Sequence, residues 1–342
     1  MTNQWRDFLT ARNAHVEDDG GLRFPKVDGP SDNRLFDLSH LGLIAVRGAD
    51  ADTFLQGQLT NDIREVTATH THLSGYCSQK GRLLASFRVM RIAGTLYLQT
   101  PAERSPDALK RLRIFILRSK VVLEDASDDL IRIGIAGDRL ADLLAGQGLI
   151  LPERDNDCAS DETLSVIRLP GAIPRCEILG PFAAIGPLWD RLAGQATPAN
   201  RLDWTLLDVR AGIPNIYNRT AETFIPQMIN LQLIDGVSFH KGCYTGQEVV
   251  ARMQHLGKIK RRMYLAEVDS PAPPQPGEEL HAPSSTSQQA AGWVVDAAPI
   301  DEGRHALLAV VEVSAAEGGE VRLGEQGPVL RLQAPPYGFP ES

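Results

Sequence analysis

The run His240-Lys241-Gly242-Cys243-Tyr244-Thr245-Gly246-Gln247-Glu248 constrains this chain more than any other, because it sets one thiol between two glycines and just ahead of a helix. Thr245 followed three residues later by Glu248 has the spacing of a capping box, and Val249, Val250, Met253 and Leu256 then recur at helical spacing up to Gly257. The pattern predicts a helix that begins near Gly246. It places Cys243 outside the helix N-terminus, where unpaired N–H groups and the helix dipole favour a thiolate, with His240 and Lys241 as cationic neighbours. Gly242 and Gly246 suit a backbone that needs positive φ or the close approach of another group. The plainer alternative, a cysteine acting as a small buried hydrophobe, fits poorly among Lys, Tyr, Thr, Gln and Glu.

The rest of the chain reads as α+β. Residues 43–46 and 83–92 are strand-like, Asp50 can cap a helix over 51–58, and residues 106–120 carry helical spacing at Leu109, Leu112, Ile116 and Leu117. Further strands are expected at 121–123 and 131–135, and a helix at 138–145. A loop rich in Pro and Ser spans 270–287. After it, short β segments at 292–296, 306–313, 320–323 and 329–332 predict a small barrel or jelly roll, with a domain boundary near Lys258.

A chain of 342 residues with 43% hydrophobic content can build two or three domains. Its net charge of -8 argues against general affinity for nucleic-acid backbones, so no direct DNA binding is expected. Cys77, Cys158, Cys176 and Cys243 form no C-x-x-C pair, which suggests neither a metal site nor a disulfide framework. The first twenty residues lack an apolar core, and no later run reaches the ~18 apolar residues of a membrane span. A cytoplasmic protein with no membrane partner is the expectation.

The residues also carry a resemblance. Residues 241–248, with Phe224-Ile225-Pro226-Gln227 and Asn230-Leu231 ahead of them, are similar to the signature of the YgfZ family, folate-binding relatives of the glycine-cleavage T-protein. Leu35-Phe36-Asp37-Leu38-Ser39-His40 and the run from Phe54 to Asp62 resemble the N-terminal part shared with T-proteins. Gly292-Trp293-Val294-Val295 and Pro335-Pro336-Tyr337 resemble the family's C-terminal domain. The resemblance implies an α+β fold in which a T-protein-like folate-binding region of mixed α/β layers, with two intertwined subdomains, occupies residues 1–257 and a small β-barrel occupies 258–342. It implies tetrahydrofolate or another reduced folate as ligand. Trp204, whose indole offers a flat face to a pterin, joins Leu41, Asn61 and Arg210 as candidate contacts, although Arg210 stands where many T-protein relatives carry a glutamate. Ala85-Ser86 stand where the aminomethyltransferases carry an acidic pair with their catalytic aspartate, so aminomethyl transfer is not expected.

Two basic clusters invite anionic partners. The cations within 111–120 can grip phosphate or the glutamate tail of a folate, or simply form a solvated helix face; Arg252, Lys258, Lys260, Arg261 and Arg262 can receive a partner or guard a sheet edge. Three functions follow. In the first, implied by the resemblance, the protein binds folate and supports assembly or repair of iron-sulfur clusters in client or assembly proteins, tRNA-modifying enzymes among them. Cys243 is then the reactive thiol, aided by Lys241 and His240; it ligates a transient cluster, accepts sulfur or forms a mixed disulfide. The second is a folate-dependent one-carbon transferase or demethylase using another base. The third is a scaffold that recruits clients through 258–262 while Cys243 is structural.

Overall fold

The computed structural model describes residues 3–18, 20–25, 33–255, 257, 259–285 and 290–339. Leu256 and Lys258 lie outside these. The chain divides into two compact units that interleave in sequence: residues 1–52, 64–72 and 88–204 form one, and residues 53–63, 73–87 and 205–342 form the other. The boundary expected at 257/258 falls inside the second unit.

The first unit is built on a six-stranded sheet in the order Cys158–Ser160, Ser165–Leu169, Arg175–Gly180, Ile131–Gly137, Asn33–Asp37, Thr197–Ala199. Only the last pair is parallel, Thr197 facing Arg34 and Ala199 facing Phe36. Alternate residues Ile131, Ile133 and Ile135 point into one core with Leu35 and Ile178, covered by the helix Phe182–Ala193 through Ile185, Leu188 and Trp189. Trp5 meets Trp189 edge to face at 5.5 Å. In the same unit Leu41–Arg47 runs between Thr95–Pro101 and Val122–Asp125, so that Ile44 pairs with Leu98 on one side and Asp125 on the other. The helix predicted over 106–120 is shorter, Ser105–Ile114. It ends where its apolar residues lose a surface to pack on: Leu109 and Leu112 are buried, whereas Leu117 is 87% exposed.

The second unit carries six antiparallel strands, Arg322–Leu323, Glu279–His281, Gly292–Asp301, Arg304–Glu312, Arg261–Asp269 and Arg331–Gln333 in spatial order, which curl into a half-barrel. Why the run from Arg304 to Glu312 is hydrophobic throughout is clear from its two faces. Leu307, Ala309 and Val311 belong to one core and Ala306, Leu308 and Val310 to another, so both sides of the strand are buried. The core holding Leu308 also takes in Cys77, Leu83, Phe224, Leu231 and Val250. Residues from two of the unit's segments, 73–87 and 205–342, thereby support the helix Gln247–His255.

Candidate functional site

The cysteine run is a loop stitched to a segment about 180 positions earlier. Ser238 N–H donates to the Thr60 carbonyl at 3.0 Å, the Thr60 hydroxyl donates to the Gly236 carbonyl at 2.7 Å, and Thr245 N–H donates to Gly57 O at 3.3 Å. Lys241 completes the seam. Its Nζ, on a residue only 6% exposed, donates to the carbonyls of Gln56 (2.8 Å), Leu59 (2.6 Å) and Asn61 (2.9 Å). A buried ammonium with three donors requires such acceptors, and the residues 56–61 supply them. The Tyr244 ring lies 5.2 Å from the same nitrogen, and burial near Cys77 pushes the Tyr244 phenol up.

The helix spans Gln247–His255, one residue later than predicted, with Val250 on its buried side and Glu248 in its first turn. Cys243 therefore stands four positions before the first helical residue. Gly246, with φ +84°, satisfies both halves of the expectation for it, because a Cβ there would collide with the carbonyl oxygen of Ser78. The turn 78–82 lies against the start of the helix, and Gly81 leaves room for Val249. Gly242 satisfies neither: its φ is not positive, and a Cβ there would meet nothing within 4 Å. Openness at that glycine is what leaves its neighbour accessible.

Cys243 is the exposed thiol of the four cysteines, and His240 beside it is exposed as well. Burial raises the other three, Cys77 up to about 12, with Cys158 and Cys176 also raised. The sequence reading gave Lys241 the task of stabilising the thiolate, and the structure assigns it another. Its ammonium is held by three backbone carbonyls, so it positions the loop that presents Cys243.

The candidate folate contacts separate in the same way. Asn61 belongs to the seam: its Nδ2 donates to Leu73 O and Asp235 O at 3.1 and 2.6 Å, and its Oδ1 accepts from Asp62 N–H. Trp204 and Leu41 belong to the first unit. Trp204 is 2% exposed, packed edge to face on Phe36 at 5.0 Å, with Gly134 against its ring and the Arg175 guanidinium 5.3 Å from its centroid. A stacking platform needs a free face, so Trp204 is a packing residue here. Leu41 is half-buried, its carbonyl accepting from Arg132 Nη2 at 2.8 Å, and Arg210 is exposed.

Of the second basic cluster, Arg261 donates to Glu312 Oε1 at 2.8 Å and lies over Trp293, while Arg262 lies over Phe339. These contacts engage both arginines and leave Lys260 and Arg252 exposed. Among the described residues no group of three or more His, Cys, Asp or Glu is arranged to hold a metal ion, and no helix is long and apolar enough to cross a membrane. One cluster escaped the sequence reading. Asp296, 2% exposed, accepts from the Tyr217 hydroxyl at 2.9 Å and from Ala297 N–H at 2.9 Å, with Asn215 also bonding it and Asp208 nearby. Burial lifts its carboxyl to about 7.

The GCVT N-terminal domain family matches residues 31–149. The tRNA-modifying protein YgfZ of Escherichia coli is 29% identical over 308 residues, covering 90% of this chain and 94% of its own. YgfZ of Shigella boydii serotype 4 matches with the same identity and extent. Over nine-tenths of its length the chain is similar to YgfZ proteins. At 17% identity, aminomethyltransferase T of the glycine cleavage system from Bartonella henselae shares the fold, with a TM-score of 0.69 over 90% of this chain and 86% of that one. On that shared fold this chain carries Ala85 and Ser86. Ala85 is fully buried, and the Ser86 hydroxyl accepts from Ile216 N–H at 3.1 Å and lies 3.5 Å from Pro214 O. A small hydroxyl bonded to backbone holds no charge, so these two residues cannot serve as an acid-base pair.

Proposed function

We propose that this chain carries out the YgfZ-type role as an accessory of iron-sulfur proteins, supporting assembly or repair of clusters in client enzymes, tRNA-modifying ones included, through the thiol of Cys243. The observation that carries the reading is the contrast among the cysteines. Three are buried and raised, while Cys243 is exposed on a loop that Lys241 and Gly246 hold in place. A soft, accessible sulfur can meet iron or sulfur on another protein, and a fixed loop keeps it presented without ordering cost at each encounter. His240 flanks it on the same exposed loop. Reduced folate enters the proposal on the fold alone, without Trp204 as its platform. One-carbon transfer is disfavoured by Ala85 and Ser86, and recruitment through 258–262 by the engagement of Arg261 and Arg262.

Complementation of a strain lacking its YgfZ-type protein tests this. Cys243→Ala and Cys243→Ser, shown to be folded by circular dichroism, should fail to restore activity of an iron-sulfur enzyme that wild type restores. Wild-type activity from both variants removes the thiol from the mechanism.

A further inference from the structure

One surface feature has no part in that role. At the end of the helix Ser105–Ile114 and just past it the chain presents Ile114 (65% exposed), Phe115 (39%) and Leu117 (87%), with Val122 (54%) at the start of the next strand. Exposed aliphatic side chains in such density are uncommon on a protein surface and mark contact sites. Within the thirteen residues 110–122 stand Lys110, Arg111, Arg113, Arg118 and Lys120 and no carboxylate, in a chain whose net charge is -8. Arg113, itself exposed, donates to the Leu123 carbonyl at 2.6 and 3.1 Å, which ties the tip to the sheet. Lys110, Arg118 and Lys120 are exposed around it.

The chemistry of the tip selects its partner. A second copy of the chain meeting it face to face would bring two patches of net positive charge together, which is repulsive. RNA would satisfy the cations but gains nothing from Ile114 and Leu117, which neither stack nor hydrogen-bond. A partner helix needs a groove with walls, and a leucine 87% exposed has none. An anionic lipid surface accepts projecting aliphatic side chains into its interface while its headgroups meet the surrounding cations. We propose that the tip formed by residues 114–118 is a peripheral membrane-contact site that inserts Ile114, Phe115 and Leu117 at the surface of an anionic leaflet, with Lys110, Arg118 and Lys120 at headgroup level. The sequence reading expected no membrane partner on the criterion of a spanning segment, which does not bear on contact of this kind.

The test is co-sedimentation of the full chain with vesicles of about 3:1 phosphatidylcholine to phosphatidylglycerol and with pure phosphatidylcholine. Wild type should bind the anionic vesicles at least about tenfold more tightly than the neutral ones, and less so in high salt. Leu117→Asp alone, and Ile114→Asp with Leu117→Asp, should each weaken anionic binding by about tenfold or more; the exposure of both residues leaves folding intact, checked by thermal melting. Arg118→Glu with Lys120→Glu should do the same. Absence of wild-type binding, equal binding to both vesicles, or binding unchanged by Leu117→Asp overturns the proposal. So does an acidic peptide that binds wild type but not Leu117→Asp while vesicles bind neither, which would assign the tip to a protein.

Discussion

Replacing Asp296 by Asn should make the protein less sensitive to alkaline conditions. The carboxyl is buried at the register shift between Val294 and Asp296, facing Tyr217, Asn215 and the charge of Asp208, and it titrates at about 7 in the fold against 3.8 when free. Below about pH 4 both folded and unfolded chains hold this proton and its stabilising contribution is fully present. Between pH 4 and 7 the unfolded chain releases the proton while the folded one keeps it, so stability falls by about 1.4 kcal/mol per pH unit. Across the rise from 3.8 to about 7 the loss reaches about 4 kcal/mol, and above that it is constant. Asn keeps an oxygen for the Tyr217 hydroxyl but gives up the second acceptor, a cost of about 1 kcal/mol at every pH. Urea unfolding of both proteins should therefore show the variant about 1 kcal/mol less stable near pH 4 and about 3 kcal/mol more stable near pH 8. Because other titrating groups are common to both proteins, their difference isolates Asp296. A difference that stays flat with pH refutes the argument.

Other consequences are as direct. A thiol reagent should modify one cysteine quickly in the native protein and four after unfolding, with no fast phase in Cys243→Ala; a second fast thiol contradicts the burial of Cys77, Cys158 and Cys176. Lys241→Met strands three inward carbonyls and should lower unfolding free energy by about 3–5 kcal/mol, whereas a loss below about 1 kcal/mol would show that the seam closes without the ammonium. Gly246→Ala combines an unfavourable φ with a collision at Ser78 and should cost about 1–3 kcal/mol in the same assay; a neutral result would mean the turn shifts freely. Trp204→Ala should cost about 3–5 kcal/mol as a core truncation, while a near-neutral effect on stability would restore it as an open face.

Local pattern carried the sequence reading where the governing interactions are local. The strand over 83–92 and the helix after Gly246 follow from spacing and are observed as Leu83–Ile92 and Gln247–His255. The helix over 106–120 was overextended because Ile116 and Leu117 continue the period, and periodicity does not say whether a surface exists to bury them. Lys241 was misread for the opposite reason. Its neighbour in sequence is Cys243, but its bonding partners are the carbonyls of Gln56, Leu59 and Asn61, and nothing in either segment announces the pairing. Trp204 looked like a platform until Gly134, seventy residues away, proved to be the space its ring fills. Asp296 reads as an ordinary strand residue; its partners Asn215 and Tyr217 sit about eighty positions upstream.

The interleaving of the two units sets an order on biosynthesis. Residues 53–63 and 73–87 leave the ribosome early, yet the loop they anchor and the core they join come from residues beyond 205. At about 5–20 residues per second the polar seam at Gln56, Leu59 and Asn61 waits about ten to forty seconds for Lys241 to emerge. Until then Cys77 and Leu83 lack the core residues Val209, Phe224 and Val250, so before Cys243 is made the nascent chain exposes a thiol that the finished fold buries, and a chaperone or reductant acting during synthesis would meet a differently reactive protein from the one that is finally released.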